Sequence, residues 1–138
     1  MAKALERRVQ DPEGAITLAR TLLETVIKHV LDKAEQSYSE HDNLPKLFNK
    51  IAKHLNLAPT QHSEKPVRAI LESIINLVNG IGTLRNQLSD SHGRGEKIEG
   101  VRPTVRHANL VVNTAGSLAA FLVQTHQKHH SRKNNEQT

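Results

Sequence analysis

Apolar residues recur every three or four positions along most of the chain, and that spacing predicts helices. A first stripe holds Ile16, Ala19, Leu23, Val26, Ile27, Val30, Leu31 and Ala34. Asp11-Pro12-Glu13 supplies its start: a capping carboxylate, a proline suited to the first turn, and an acid at the positive end of the helix dipole. This helix is expected to run to about Tyr38, with residues 1–10 a short helix or a frayed end. SEHDN over 39–43 predicts a turn, and Leu44, Leu47, Phe48, Ile51 and Leu55 predict a shorter helix over 44–55. The stretch 56–63 reads as a loop with Ser63 as a cap. Val67, Ile70, Leu71, Ile74, Val78 and Ile81 predict a third helix over 64–90. Gly80 and Gly82 lie inside it and each weakens it by up to about 1 kcal/mol, but glycine there also lets another helix come close. HGRGEKIEGVRP, 92–103, has the composition of a flexible loop. Pro103 opens a last helix, in which Val105, Ala108, Val112, Ala115, Ala119 and Leu122 repeat at three and four. Its small residues Ala108, Ala115, Gly116 and Ala119 suit tight packing or self-association.

With no sustained strand alternation, these elements predict an all-α bundle of four main helices. The length of 138 residues suits one domain, placed over 1–126. The remainder, QKHHSRKNNEQT over 127–138, is expected to be a disordered basic tail containing histidines. Tyr38, Phe48 and Phe121 are the aromatic residues, so the core must be aliphatic. The chain has no cysteine, hence no disulfide framework or thiolate site, which is compatible with a cytoplasmic protein. MAKALERRVQ is too charged for a signal peptide, and no apolar run approaches the ~18 residues of a membrane span. The net charge is +5 and unevenly spread: beyond residue 100, Arg102, Arg106, Lys128, Arg132 and Lys133 face Glu136 alone. His107, His126, His129 and His130 lie in the same quarter. Phosphate-bearing partners fit this balance; so does a solvated tail.

One residue breaks the pattern. Arg85 falls near the middle of the third helix's apolar face, where packing calls for leucine. A guanidinium there costs several kcal/mol unless something polar or anionic meets it. His92, two turns on, shares its direction if the helix reaches it. A guanidinium and an imidazole about 10 Å apart along one helix can flank a phosphate, which makes a candidate site for phosphodiester chemistry without a metal. Asn86 follows the arginine, and Gly93 can end the helix just after His92. The structural alternative is a salt bridge from Arg85 to Asp90, Glu24 or Glu72, with His92 as a helix cap. Arg20 and Glu24, one turn apart at the border of the first stripe, read either as a surface pair or as a half-buried pair orienting the arginine's surroundings. His126 and His130 have i,i+4 metal spacing, but no fixed acid or cysteine accompanies them, so no metal or other cofactor is expected. His41, His54 and His62 fall in or beside turns and look incidental.

LRNQLSDSHG resembles the R-x4-6-H signature of HEPN domains, in which a polar residue follows the arginine. DPEGAITLARTLLETVIKHVL, LPKLFNKIAKHLNLAP and VRHANLVVNTAGSLAAFL resemble successive blocks of the abortive-infection C-terminal (Abi-C) branch of that superfamily. The likeness covers about residues 5–125, with the motifs in the same order. Ser89 and Ser91 depart from the glycine and alanine expected around the aspartate. The resemblance implies a four-to-five-helix HEPN-type bundle that forms a homodimer with both motif copies at the interface. It also implies a metal-independent endoribonuclease in antiphage or toxin-like defence, with RNA as substrate and an antitoxin or defence-system protein as a further partner. Arg85, Asn86 and His92 inherit the catalytic motif; Asp90, Arg20 and Glu24 are supporting residues; Arg94, Arg102 and Arg106 are candidate RNA contacts. The alternative is a non-catalytic RNA-binding, oligomerisation or regulatory module that keeps the motif as structure.

Overall fold

The computed structural model describes residues 11–94 and 104–136, with residues 84–94 described by their backbone. Four α-helices and one 3-10 turn make up the described chain, without strands: α1 (Pro12–Lys33), α2 (Leu44–His54), the turn Pro59–Gln61, α3 (Lys65–Arg94) and α4 (Val105–Glu136). The expectations for residues 1–10 and for 95–103 lie outside the described residues.

The start of α1 is the one the sequence announces. Gly14 N donates to Asp11 Oδ1 at 3.0 Å, Pro12 occupies the first turn, and Glu13 lies at the dipole's positive end. Its end is not: the helix stops at Lys33, five residues before the expected Tyr38. Glu35 takes φ 57°, Glu35 N donates to Asp32 O and Gln36 N to Leu31 O, so a left-handed residue closes the helix and satisfies its last carbonyls. No glycine marks the stop, so the sequence carries no local signal for it. The same motif ends α2, where Asn56 has φ 61° and Leu57 N donates to Ala52 O at 2.7 Å. Asn43 caps the start of α2 by accepting from Lys46 N at 3.0 Å. The stretch 56–63 is more ordered than a plain loop: Gln61 accepts from Ala58 N and donates to Lys53 O, both at 2.9 Å, and the His62 ring meets Asn56 O at 2.7 Å.

α1 and α4 pack along each other and form the centre of the bundle; α2 lies against α1 and α3. The core is aliphatic apart from Phe48: Ile16, Leu23, Ile27, Leu31, Leu44, Leu47, Ile51 and Leu122 are fully buried. Each such side chain contributes about 1.5–3 kcal/mol by leaving water. On α4 the buried face is Ala108, Val111, Val112, Ala115, Leu118 and Leu122, whereas Val105, expected on it, is exposed. Helix α4 begins at Val105, and Thr104 N donates to the His107 ring at 3.0 Å, a capping interaction one turn into the helix. It does not stop near residue 126. The expected disordered tail is helical through Glu136, because no proline or glycine interrupts residues 127–136. Gly82 meets Pro45 of α2: an added Cβ would lie 3.5 Å from the proline ring, an ordinary contact, so the approach does not demand glycine. Gly80 faces open space.

Candidate functional site

The sequence places the site on α3, and the buried residues of that helix fix its register. Leu71, Val78 and Ile81 are buried, while Ile74, Ile75 and Leu77 are partly covered by the core. Ile70, expected on the inner face, is 62% exposed, so the stripe is narrower than its sequence implied. The face nonetheless leads to Arg85, which stands seven residues after Val78 and four after Ile81 in unbroken helix. At about 100° per residue, Arg85 lies within about 20° of Val78 in projection, and His92 within about 20° of Arg85. The helix runs on to Arg94, so His92 lies inside it and Gly93 does not end it. About 10 Å of axial rise separates the arginine and histidine positions. Asn86 is turned about 100° from Arg85 and Asp90 about 140°, so by register Asp90 does not share the Arg85–His92 face. Arg94 is the last residue of the helix, Arg102 lies outside the described residues, and Arg106 is exposed on the first turn of α4.

Arg20 and Glu24 lie on α1, which contacts α3 as well as α4. Arg20 is only 7% exposed, and its Nε stands 3.1 Å from Glu24 Oε1. The contact is ionic rather than an aligned hydrogen bond. The pair is not a solvated surface pair, since the side chains keep only 8% and 22% of their exposure.

A second charged centre is structural. Asp42 is buried at the α1–α2 connection, where Lys50 Nζ donates to it at 2.7 Å, Ser39 N at 3.0 Å, and Lys46 lies 3.6 Å away. The Lys50 hydrogen bond, reinforced by the Ser39 amide, lowers its pKa to about 2. These contacts pin the turn between α1 and α2.

Histidines that looked incidental or tail-like converge elsewhere. His54, at the end of α2, stands beside the distal part of α4, where the His126 and His130 rings stack with centroids 6.3 Å apart. No signal in the sequence could join His54 to residues 126–133, because their approach depends on how α2 packs. Among the described residues, no group of three or more histidine, aspartate or glutamate side chains is arranged to hold a metal ion. Nor is any described helix long and apolar enough to cross a membrane.

The architecture is thus an all-α bundle whose third helix carries an arginine–histidine pair at seven-residue spacing in continuous helix. The Abi_C family model, described as a HEPN-like domain, matches residues 1–126. The chain belongs to that family, as the resemblance of its sequence blocks implied. Comparison with curated proteins gave no match, and comparison with solved structures gave none.

Proposed function

We propose that this protein is a metal-independent endoribonuclease that acts as a homodimer in antiphage or toxin-like defence. The observation that carries the reading is the register of α3: the buried stripe Leu71–Val78–Ile81 leads in unbroken helix to the positions of Arg85 and His92. A cation on a face otherwise used for packing calls for an anionic or polar counterpart, and a phosphodiester supplies one. Membership of the HEPN-like family supports the same reading.

In the proposed reaction, the ribose 2′-oxygen attacks the adjacent phosphorus and the bond from phosphorus to the 5′-oxygen breaks. A neutral imidazole takes the proton from the 2′-hydroxyl, and an imidazolium gives one to the departing 5′-oxygen. The products are a 2′,3′-cyclic phosphate and a 5′-hydroxyl end. His92 fills one role and the partner subunit's His92 the other, which is why a two-fold dimer completes the site. Arg85 stabilises the charge on the equatorial phosphoryl oxygens. Asn86 holds a phosphate oxygen or orients the imidazole, and the Arg20–Glu24 pair on α1 shapes the electrostatic surroundings. DNA resists cleavage because it lacks the 2′-hydroxyl.

The test is cleavage of total cellular RNA in excess chelator. Wild-type protein should cut and leave cyclic-phosphate ends, whereas His92→Ala and Arg85→Ala should fall by a factor of about 100 or more. Binding of RNA without cleavage by wild type, under conditions where the protein is dimeric, would instead favour the non-catalytic module.

A further inference from the structure

The face of α4 that packs on α1 changes character where α1 ends. Leu118 and Leu122 are its last buried positions. The same helical line continues through His126, His129 and Lys133, at spacings of four, three and four, and His130 stacks on His126. Lys33, at the end of α1, and His54, at the end of α2, close the group from two further helices. Six basic side chains from three helices therefore lie at one end of the bundle, each of the others within electrostatic reach of His54 or His126.

Packing does not account for this choice of residues. His126 is partly buried and its Nδ1 is shielded from water without a hydrogen-bond partner. The charged groups acting on His126 are His130, His54, Lys33 and His129, and those acting on His54 are Lys133 and His129. All are cations. Asp32 is the nearest carboxylate in sequence on α1, and it accepts from the Tyr38 hydroxyl at 3.3 Å; on α4 it is Glu136, one turn past Lys133. The neighbouring Lys53, Lys128 and Arg132 add positive charge at the exposed rim. Protonating these imidazoles beside the lysines brings like charges together, and a bound anion offsets that repulsion.

We propose that this end of the bundle binds the phosphate backbone of a polynucleotide, with His126 and His130 at its centre and Lys33, His54, His129 and Lys133 around them. The inference is separate from the ribonuclease reading. The turn Pro59–Gln61, tied to Lys53 of α2, lies against α3 near its start, and Arg85 is twenty residues further on, about 30 Å of helix. Burial, followed by the neighbouring cations, lowers the basicity of both His54 and His126. Both are therefore held below the usual histidine range in the free protein, and phosphate binding raises them. Binding must then take up protons and strengthen as pH falls.

Fluorescence anisotropy with a labelled 20-nucleotide RNA tests this, using full-length His92→Ala protein so that the probe stays intact. Affinity should rise by about tenfold between pH ~8 and ~6, the range over which histidine gains its proton. His126→Gln/His130→Gln should flatten that rise. Lys133→Glu, on an exposed turn where folding is not at stake, should weaken binding at both pH values and reduce the salt slope by about one. DNA of the same sequence should bind as tightly if backbone phosphates alone are read; binding restricted to RNA, still lost in the variants, assigns ribose contacts to the same site. Unchanged affinity, pH response and salt slope in both variants would overturn the proposal, whether or not the protein cleaves RNA.

Discussion

Removing the Glu24 carboxylate tests whether the Arg20–Glu24 pair matters to the bundle. Exposed helix pairs at i,i+4 are worth about 0.3–0.5 kcal/mol, whereas stripping one partner from a fully buried pair costs about 3–5 kcal/mol. This pair lies between those limits. Arg20 keeps 8% of its side-chain exposure, Glu24 keeps 22%, and the 3.1 Å contact lacks the alignment of a hydrogen bond. Glu24→Gln should therefore cost about 2 kcal/mol, because a nearly buried guanidinium keeps its desolvation penalty and loses a charge that offsets it. Arg20→Met should cost about as much by leaving the carboxylate without its cation. Arg20→Met/Glu24→Leu replaces both with apolar groups of similar length and should cost less than the two single substitutions added together. Urea unfolding at one fixed protein concentration, with the four proteins treated as a double-mutant cycle, gives the coupling energy directly. A coupling below about 0.5 kcal/mol would refute the reasoning and return the pair to the status of surface decoration. RNA cleavage by the double variant supplies the functional half: retained stability with lost cleavage would make the pair a positioning element for α3.

Acid should act on the α1–α2 connection. Asp42 has its pKa lowered from 3.8 to about 2, so its contribution to stability is complete above pH ~4 and is lost as pH falls through ~2. Asp42→Asn should lower the melting temperature at neutral pH and remove that part of the acid dependence, which thermal melts from pH ~7 to ~2 would show. Gly80→Ala should stabilise the protein by up to about 1 kcal/mol, since an added Cβ meets nothing within 4 Å and alanine is the better helix former; an unchanged melt would contradict it. Glu35→Gly should be neutral or stabilising by up to about 1 kcal/mol, because Glu35 holds φ 57° at an exposed position, and a clear loss in urea unfolding would mean the side chain has an unrecognised role.

Periodicity and capping chemistry were enough to determine the helical class, the order of the helices and most starting points. A helix start is written in local residues: Asp11 accepts from an amide of its own first turn beside Pro12, and Asn43, within a stretch the sequence marks only as a turn, does the same for α2. Family membership was legible for the same reason, as blocks of sequence in a fixed order. The Arg85–His92 spacing was visible too, because a residue that violates a stripe is defined by its neighbours on the same helix. Stops were harder. Lys33 ends α1 through a left-handed glutamate, and α4 continues through residues whose composition resembles a solvated tail. Only the tertiary structure decided which side of α3 is inside, leaving Ile70 exposed and Leu71 buried, since an amphipathic stripe wider than the contact surface cannot all be covered. It alone buried Arg20 with Glu24, and it alone brought His54 to His126 and Lys133. Those encounters join residues from separate helices, or depend on what covers a helix face, and both are set by packing rather than by spacing along the chain.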